Sequence, residues 1–175
     1  MKTTQIIILI SILCFSCSKE KYYLSSENYF NQGIANYYNA YYSSSIEKFD
    51  KAIIVNPYFA EAYNYRGLSF FYRDSEDDNE KAIEDFEKAI ELNPSYIDAF
   101  YNRGCVYKYL ENYDKAIIDF KKVLDLDSSY KEAYIDLGDI YNNLDSNLKA
   151  IQYYTKAIEL DTSNYGVINS RALVY

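Results

Sequence analysis

The chain has 175 residues, a formal net charge of −8, 49% hydrophobic residues, 23 tyrosines, and neither histidine nor tryptophan. The apolar content excludes a disordered chain, and the acidic balance excludes a nucleic-acid binder, which needs a basic footprint. Its 3 cysteines are too few and too scattered for a disulfide framework or a zinc site.

Residues 1–16 read as an export signal rather than as part of the fold. Lys2 gives a minimal positive end, and Ile6 to Phe15 form an apolar run broken only by Ser11. A run of that length is about half the roughly 20 residues that a membrane-spanning helix needs. It ends in Leu13-Cys14-Phe15-Ser16-Cys17, followed at once by polar Ser18-Lys19-Glu20-Lys21. A small residue directly before a cysteine at the end of such a run resembles the lipobox of bacterial lipoproteins. Cys14 departs from that pattern, which usually has leucine three places before the cysteine. The resemblance implies lipid attachment at Cys17, with residues 17–25 as a tether to a bacterial envelope membrane. Cleavage near Ser16 with release to the periplasm or medium, and an uncleaved anchor, are the alternatives.

From residue 26 onward the chain repeats itself. Gly33, Gly67, Gly104 and Gly138 are separated by 34, 37 and 34 residues. Phe49, Phe86, Phe120 and Tyr154 follow those glycines by 16, 19, 16 and 16. Around each glycine the apolar positions recur at three- and four-residue steps, so each unit is a pair of amphipathic helices joined by a polar turn. Glycine costs roughly 1 kcal/mol inside a helix, so four of them need a packing reason: close approach of the second helix. The three extra residues of the second unit fall between Gly67 and Phe86, in the turn Arg73-Asp74-Ser75-Glu76-Asp77-Asp78-Asn79. Its acids lack the glycine and terminal glutamate spacing of a calcium loop, and a solvated turn ending in a cap at Asp78 or Asn79 is expected. In the first unit Asn36, Ser45 and the string Ser43-Ser44-Ser45 are expected to weaken the core.

The pattern resembles the tetratricopeptide repeat, a helix–turn–helix unit of about 34 residues. Its opening aromatic is Tyr29, Tyr63, Phe100 and Tyr134, its small residue is the glycine four places on, and its next aromatic is Phe70, Tyr107 and Tyr141. Ala82, Ala116 and Ala150 open the second helices, and the closing proline is Pro57 and Pro94, replaced later by Ser128 and Thr162. The expected fold is all-α, a right-handed α-α superhelix of four repeats at 26–59, 60–96, 97–130 and 131–164. A capping or partial-repeat helix at 165–175 follows.

In that family the first helices line a concave groove that holds a protein segment. The resemblance points to Asn64, Tyr65, Tyr101, Asn102 and Tyr109 as partner-binding residues, with Cys105 a small packing residue near the same face. One subclass grips a peptide carboxylate with lysine, asparagine and arginine. Here Glu27, Glu61, Asp98, Glu132, Asp136 and Asp139 occupy groove-side positions, so a carboxylate clamp is rejected and a neutral or basic segment is expected. The first-turn acids are equally read as complements of the helix dipole.

Nothing in the sequence carries catalysis. The commonest general base is missing, Cys105 has no histidine to activate it, and neither a P-loop nor a dinucleotide fingerprint is present. The expected function is therefore a non-enzymatic, cofactor-free scaffold for a protein or peptide partner, membrane-attached through its lipid. The alternative is a structural protein that self-associates through its C-terminal end.

Overall fold

The computed structural model describes residues 25–174. The export signal, Cys17 and almost all of the tether lie outside the described residues, as does Tyr175. Every element described is a helix: α1 at residues 25–38, α2 Tyr42–Val55, α3 Ala60–Arg73, α4 Asp78–Leu92, α5 Ile97–Tyr109, α6 Tyr113–Leu126, α7 Lys131–Asn143, α8 Asn147–Leu160 and α9 Tyr165–Leu173. None is long and apolar enough to cross a membrane. The helices fall into two compact units, residues 1–92 and 93–175.

In the first unit α3 packs against both α2 and α4. In the second, α6 packs between α5 and α7, and α8 between α7 and α9. Each hairpin is closed by the glycine of its first helix. A Cβ built on Gly104 would stand 2.8 Å from the Phe120 ring, and one on Gly138 would stand 2.5 Å from the ring of Tyr154. Phe49, Phe86, Phe120 and Tyr154 are all buried against these gaps, with the alanines Ala52, Ala82, Ala89, Ala116, Ala150 and Ala157 around them. Small residues bring the two backbones close, and one large ring fills what remains.

The first hairpin meets its polar substitution with hydrogen bonds. Ser45, expected to weaken this core, is fully buried, and its hydroxyl lies 2.9 Å from the Gly33 carbonyl and 3.0 Å from the Ser69 hydroxyl. Ser26, also buried, donates to the Ala52 carbonyl. A buried hydroxyl with partners avoids the penalty of an unsatisfied one, so serine can stand where later repeats use alanine.

Between repeats the chain turns on an Asx residue. Asn56, Asn93, Asp127 and Asp161 each accept, through Oδ1, the backbone N–H two residues on, at 2.9–3.2 Å. Ser129 and Ser163 add their hydroxyls to the same carboxylates. This turn explains how Ser128 and Thr162 replace the closing proline: the Asx side chain holds the bend that proline would otherwise pre-set. The next helix then starts on an aromatic rather than a capping residue, at Phe59, Tyr96 and Tyr130. Phe59 packs on Phe30 at 4.7 Å between centroids and Tyr130 on Tyr101 at 5.0 Å, so burial takes the place of a side-chain cap.

The long α3–α4 turn is only partly solvated. Asp74 to Asp77 are exposed, but Asp78 is buried, accepts two bonds from the Arg73 guanidinium at 2.8 and 2.6 Å, and accepts the Ser75 N–H at 3.1 Å, so it braces the turn rather than capping α4. The Arg73 bonds hold the Asp78 carboxyl below its ordinary value.

Candidate functional site

Helix α5 carries Tyr101, Cys105 and Lys108 at four- and three-residue steps, hence on one face. Asp136 and Asp139 lie one turn apart on α7, and Tyr154 on α8. These side chains form one hydrogen-bonded network. Tyr101 Oη donates to Asp136 Oδ2 at 2.8 Å, and Lys108 Nζ donates to Asp136 Oδ1 and to Asp139 Oδ2, each at 2.7 Å. Tyr154 Oη donates to Asp139 Oδ1 at 2.8 Å.

The electrostatics follow from burial and from this pairing. Burial drives the Tyr101 phenol far above its ordinary value, with the neighbouring Cys105 and Asp136 adding to it. Burial likewise pushes the Cys105 thiol up to about 12, again with Asp136 nearby. Tyr154 is raised by burial and by its bond to Asp139. Burial works against the Lys108 ammonium, but Asp136 and Asp139 outweigh it and hold the group charged. Both phenols and the thiol are thus fixed as neutral donors at neutral pH. Two carboxylates share one ammonium, which leaves the face with a net negative charge. Such a surface offers hydrogen bonding and charge to a ligand.

Of the residues singled out in the sequence, Tyr101 joins this network and packs on Phe120 and Tyr130. Asn102 is half-buried beside it, and Tyr109, at the end of the same helix, is 57% exposed. Asn64 and Tyr65 belong to the first unit. Asn64 is buried, and Tyr65 meets Phe30 and Tyr37 edge-on, each at 5.7 Å. The contributions of Lys108 and Tyr154 were not read from the sequence. Lys108 lies seven residues after Tyr101 on the same helical face, a spacing that could have signalled it.

A second pattern was also missed. Arg66 and Arg103, each directly before a motif glycine, make paired bonds at 2.6–2.8 Å to Asp85 and Asp119, each directly before a motif phenylalanine. Both aspartates are buried. Arg66 reaches Asp50 as well, at 2.6 Å. Burial alone would lower the Arg66 pKa, yet Asp85 and Asp50 raise it, so the guanidinium remains charged. The recurring Arg-Gly and Asp-Phe doublets were the available signal.

Stacked antiparallel helical hairpins closed by a glycine and an aromatic define a helical repeat protein. Family models described as tetratricopeptide repeat match residues 97–130 and 131–164, and one described as TPR repeat matches 75–110. The chain belongs to the tetratricopeptide repeat family, and its all-α fold is that of the solved tetratricopeptide structures. A crystal structure of MamA is similar at 28% identity and TM-score 0.74, with 81% of each chain covered. MamA from Desulfovibrio magneticus RS-1 shares the fold at 19% identity and TM-score 0.77, covering 86% of this chain and 83% of that one. The first TPR of Spaghetti (RPAP3), solved bound to the HSP90 peptide SRMEEVD, shares it at 24% identity and TM-score 0.66 over 70% of this chain and 94% of that one. No curated protein sequence matched.

Proposed function

We propose that this protein is a non-catalytic interaction scaffold whose first helices hold a neutral or basic protein segment. The observation that carries the reading is the face built by Tyr101, Lys108, Asp136 and Asp139, where fixed neutral donors surround two carboxylates and a single cation. The peptide bound by Spaghetti carries adjacent glutamates. A peptide of that charge would meet Asp136 and Asp139 here, so the opposite sign of ligand is favoured. The lipobox-like Leu13–Cys17 stretch supports export and lipid attachment at Cys17, and hence a bacterial envelope location. The helix starts at Ala60, Ile97, Lys131 and Tyr165 support repeats dividing at 26–59, 60–96, 97–130 and 131–164.

Fluorescence anisotropy with basic, neutral and acidic peptides tests the groove. Tyr101→Phe with Asn102→Ala should weaken the basic or neutral ligand while the helical circular dichroism signal is unchanged; undiminished binding refutes the assignment. Labelling cells with a fatty-acid analogue should mark the wild type and not Cys17→Ser. A second reading, self-association, is favoured by Leu148 and Leu173, both strongly exposed. A monomeric mass at micromolar concentration removes it.

A further inference from the structure

The first unit carries an aromatic edge that the groove reading does not use. Tyr42 at the start of α2 stacks on Tyr72 near the end of α3, with centroids 5.9 Å apart and planes 22° apart. Tyr37 packs against both at 6.0 Å. Tyr38, Tyr41 and Tyr72 remain 73%, 65% and 52% exposed. A depression of about 320 Å³ runs from Tyr41 and Tyr42 across to Arg73, so the α1–α2 turn and the end of α3 form one surface.

The charge beside this surface is one-sided. From Arg73 the chain enters Asp74-Ser75-Glu76-Asp77, all exposed, within the turn that is longer here than in the other hairpins. The cations at hand are already committed. Arg73 is bonded twice to Asp78, while Lys81 stands 3.9 Å from the same carboxylate and 5.8 Å from the Phe70 ring. Among the described residues no cation pairs with Asp74, Glu76 or Asp77.

We propose that this edge docks a lysine- or arginine-rich segment of a partner protein. Tyrosine faces attract ammonium and guanidinium groups, and the hydroxyls keep a polar handle while the rings bury area. The three unpaired carboxylates supply the complementary charge, and the chain's net −8 adds long-range attraction. An acidic segment would be repelled. A neutral one would cover the carboxylates without pairing them, at a desolvation cost. The edge meets the groove candidate Tyr65 through Tyr37, at 5.7 Å between centroids.

The test uses the full chain carrying Tyr101→Phe and Asn102→Ala, so that the groove is disabled, and three short labelled peptides, one of arginine and serine, one of glutamate and serine, and one of proline and serine. Only the first should bind, weakening by at least about tenfold between about 0.1 M and about 1 M salt, where the screening length falls roughly threefold. Asp74→Asn, Glu76→Gln and Asp77→Asn together should weaken binding by about tenfold and flatten the salt dependence. Asparagine accepts the left-handed backbone found at positions 74 and 77, so these changes spare the turn. Tyr41→Leu with Tyr72→Leu should weaken binding by about fivefold and leave the salt dependence intact. Three outcomes overturn the proposal: no binding of the arginine peptide, equal binding of the neutral one, or binding that the edge variants leave undiminished.

Discussion

Gly104 shows most directly what one residue decides. Any side chain there must displace Phe120, which is fully buried and has no room to move. Gly104→Ala is expected to destabilise the second unit by about 1–3 kcal/mol, the usual range for overpacking, measured by urea unfolding. Seven residues after each motif glycine the backbone is left-handed, at Ala40, Asp74, Glu111 and Asp145, and none of these is glycine. Glu111→Gly removes a left-handed strain of roughly 1–2 kcal/mol against an entropic cost of about 0.5–1 kcal/mol, so a net gain of about 0–1.5 kcal/mol is expected in the same measurement. The glycines were legible from spacing alone. The strained positions were not, because a turn of ordinary composition does not reveal its φ angles.

At the scale of the hairpin, the Arg66–Asp85 pair ties α3 to α4. Arg66→Ala leaves the buried Asp85 carboxylate without its guanidinium and should cost about 3–5 kcal/mol. Arg66→Leu together with Asp85→Leu should recover most of that loss, because an apolar pair leaves no stranded charge. If the double variant is no more stable than the single one, the pair is not the cause. The hairpins themselves could be read from periodicity, since burying one face of each helix requires apolar residues at three- and four-residue steps. The Asx turns between them were hidden, because helical periodicity does not record a side chain such as Asn56 or Asn93 folding back on the backbone two residues on. Asp78 was expected as a helix cap; instead it is the first residue of α4 and its carboxylate turns back to Arg73 and Ser75, across a turn whose path periodicity leaves undefined.

For the molecule as a whole, alkali is the expected weakness. The Cys105 thiol is raised from 9.0 to about 12 and the Tyr130 phenol from 10.0 to about 12, in both cases first by burial. Tyr37, Tyr101 and Tyr154 move in the same direction. Where the folded pKa is the higher one, the folded state holds more protons between the two values, and stability falls as pH rises. The stabilisation should be complete below about pH 9 and be lost between about pH 9 and 12, read as a falling melting temperature. Cys105→Ala should blunt the earliest part of that fall. Tyrosine absorbance near 295 nm should show a group of phenols ionising only as the helices unfold.

The sequence by itself determined the repeat, the number of hairpins, the glycine–aromatic closure and the absence of histidine. Each of these depends on residue type at a fixed spacing, and spacing survives in one dimension. It also brought Tyr101, Asp136 and Asp139 to notice as residues of one face. Only the tertiary structure decided that Lys108 joins those carboxylates, that Asn64 is buried, and that Tyr42 meets Tyr72 beside an unpaired acidic turn. The Lys108 and Tyr42 pairings join residues 28 to 31 positions apart on different helices. The helix crossing brings them within hydrogen-bonding or stacking distance, and no local pattern records that crossing.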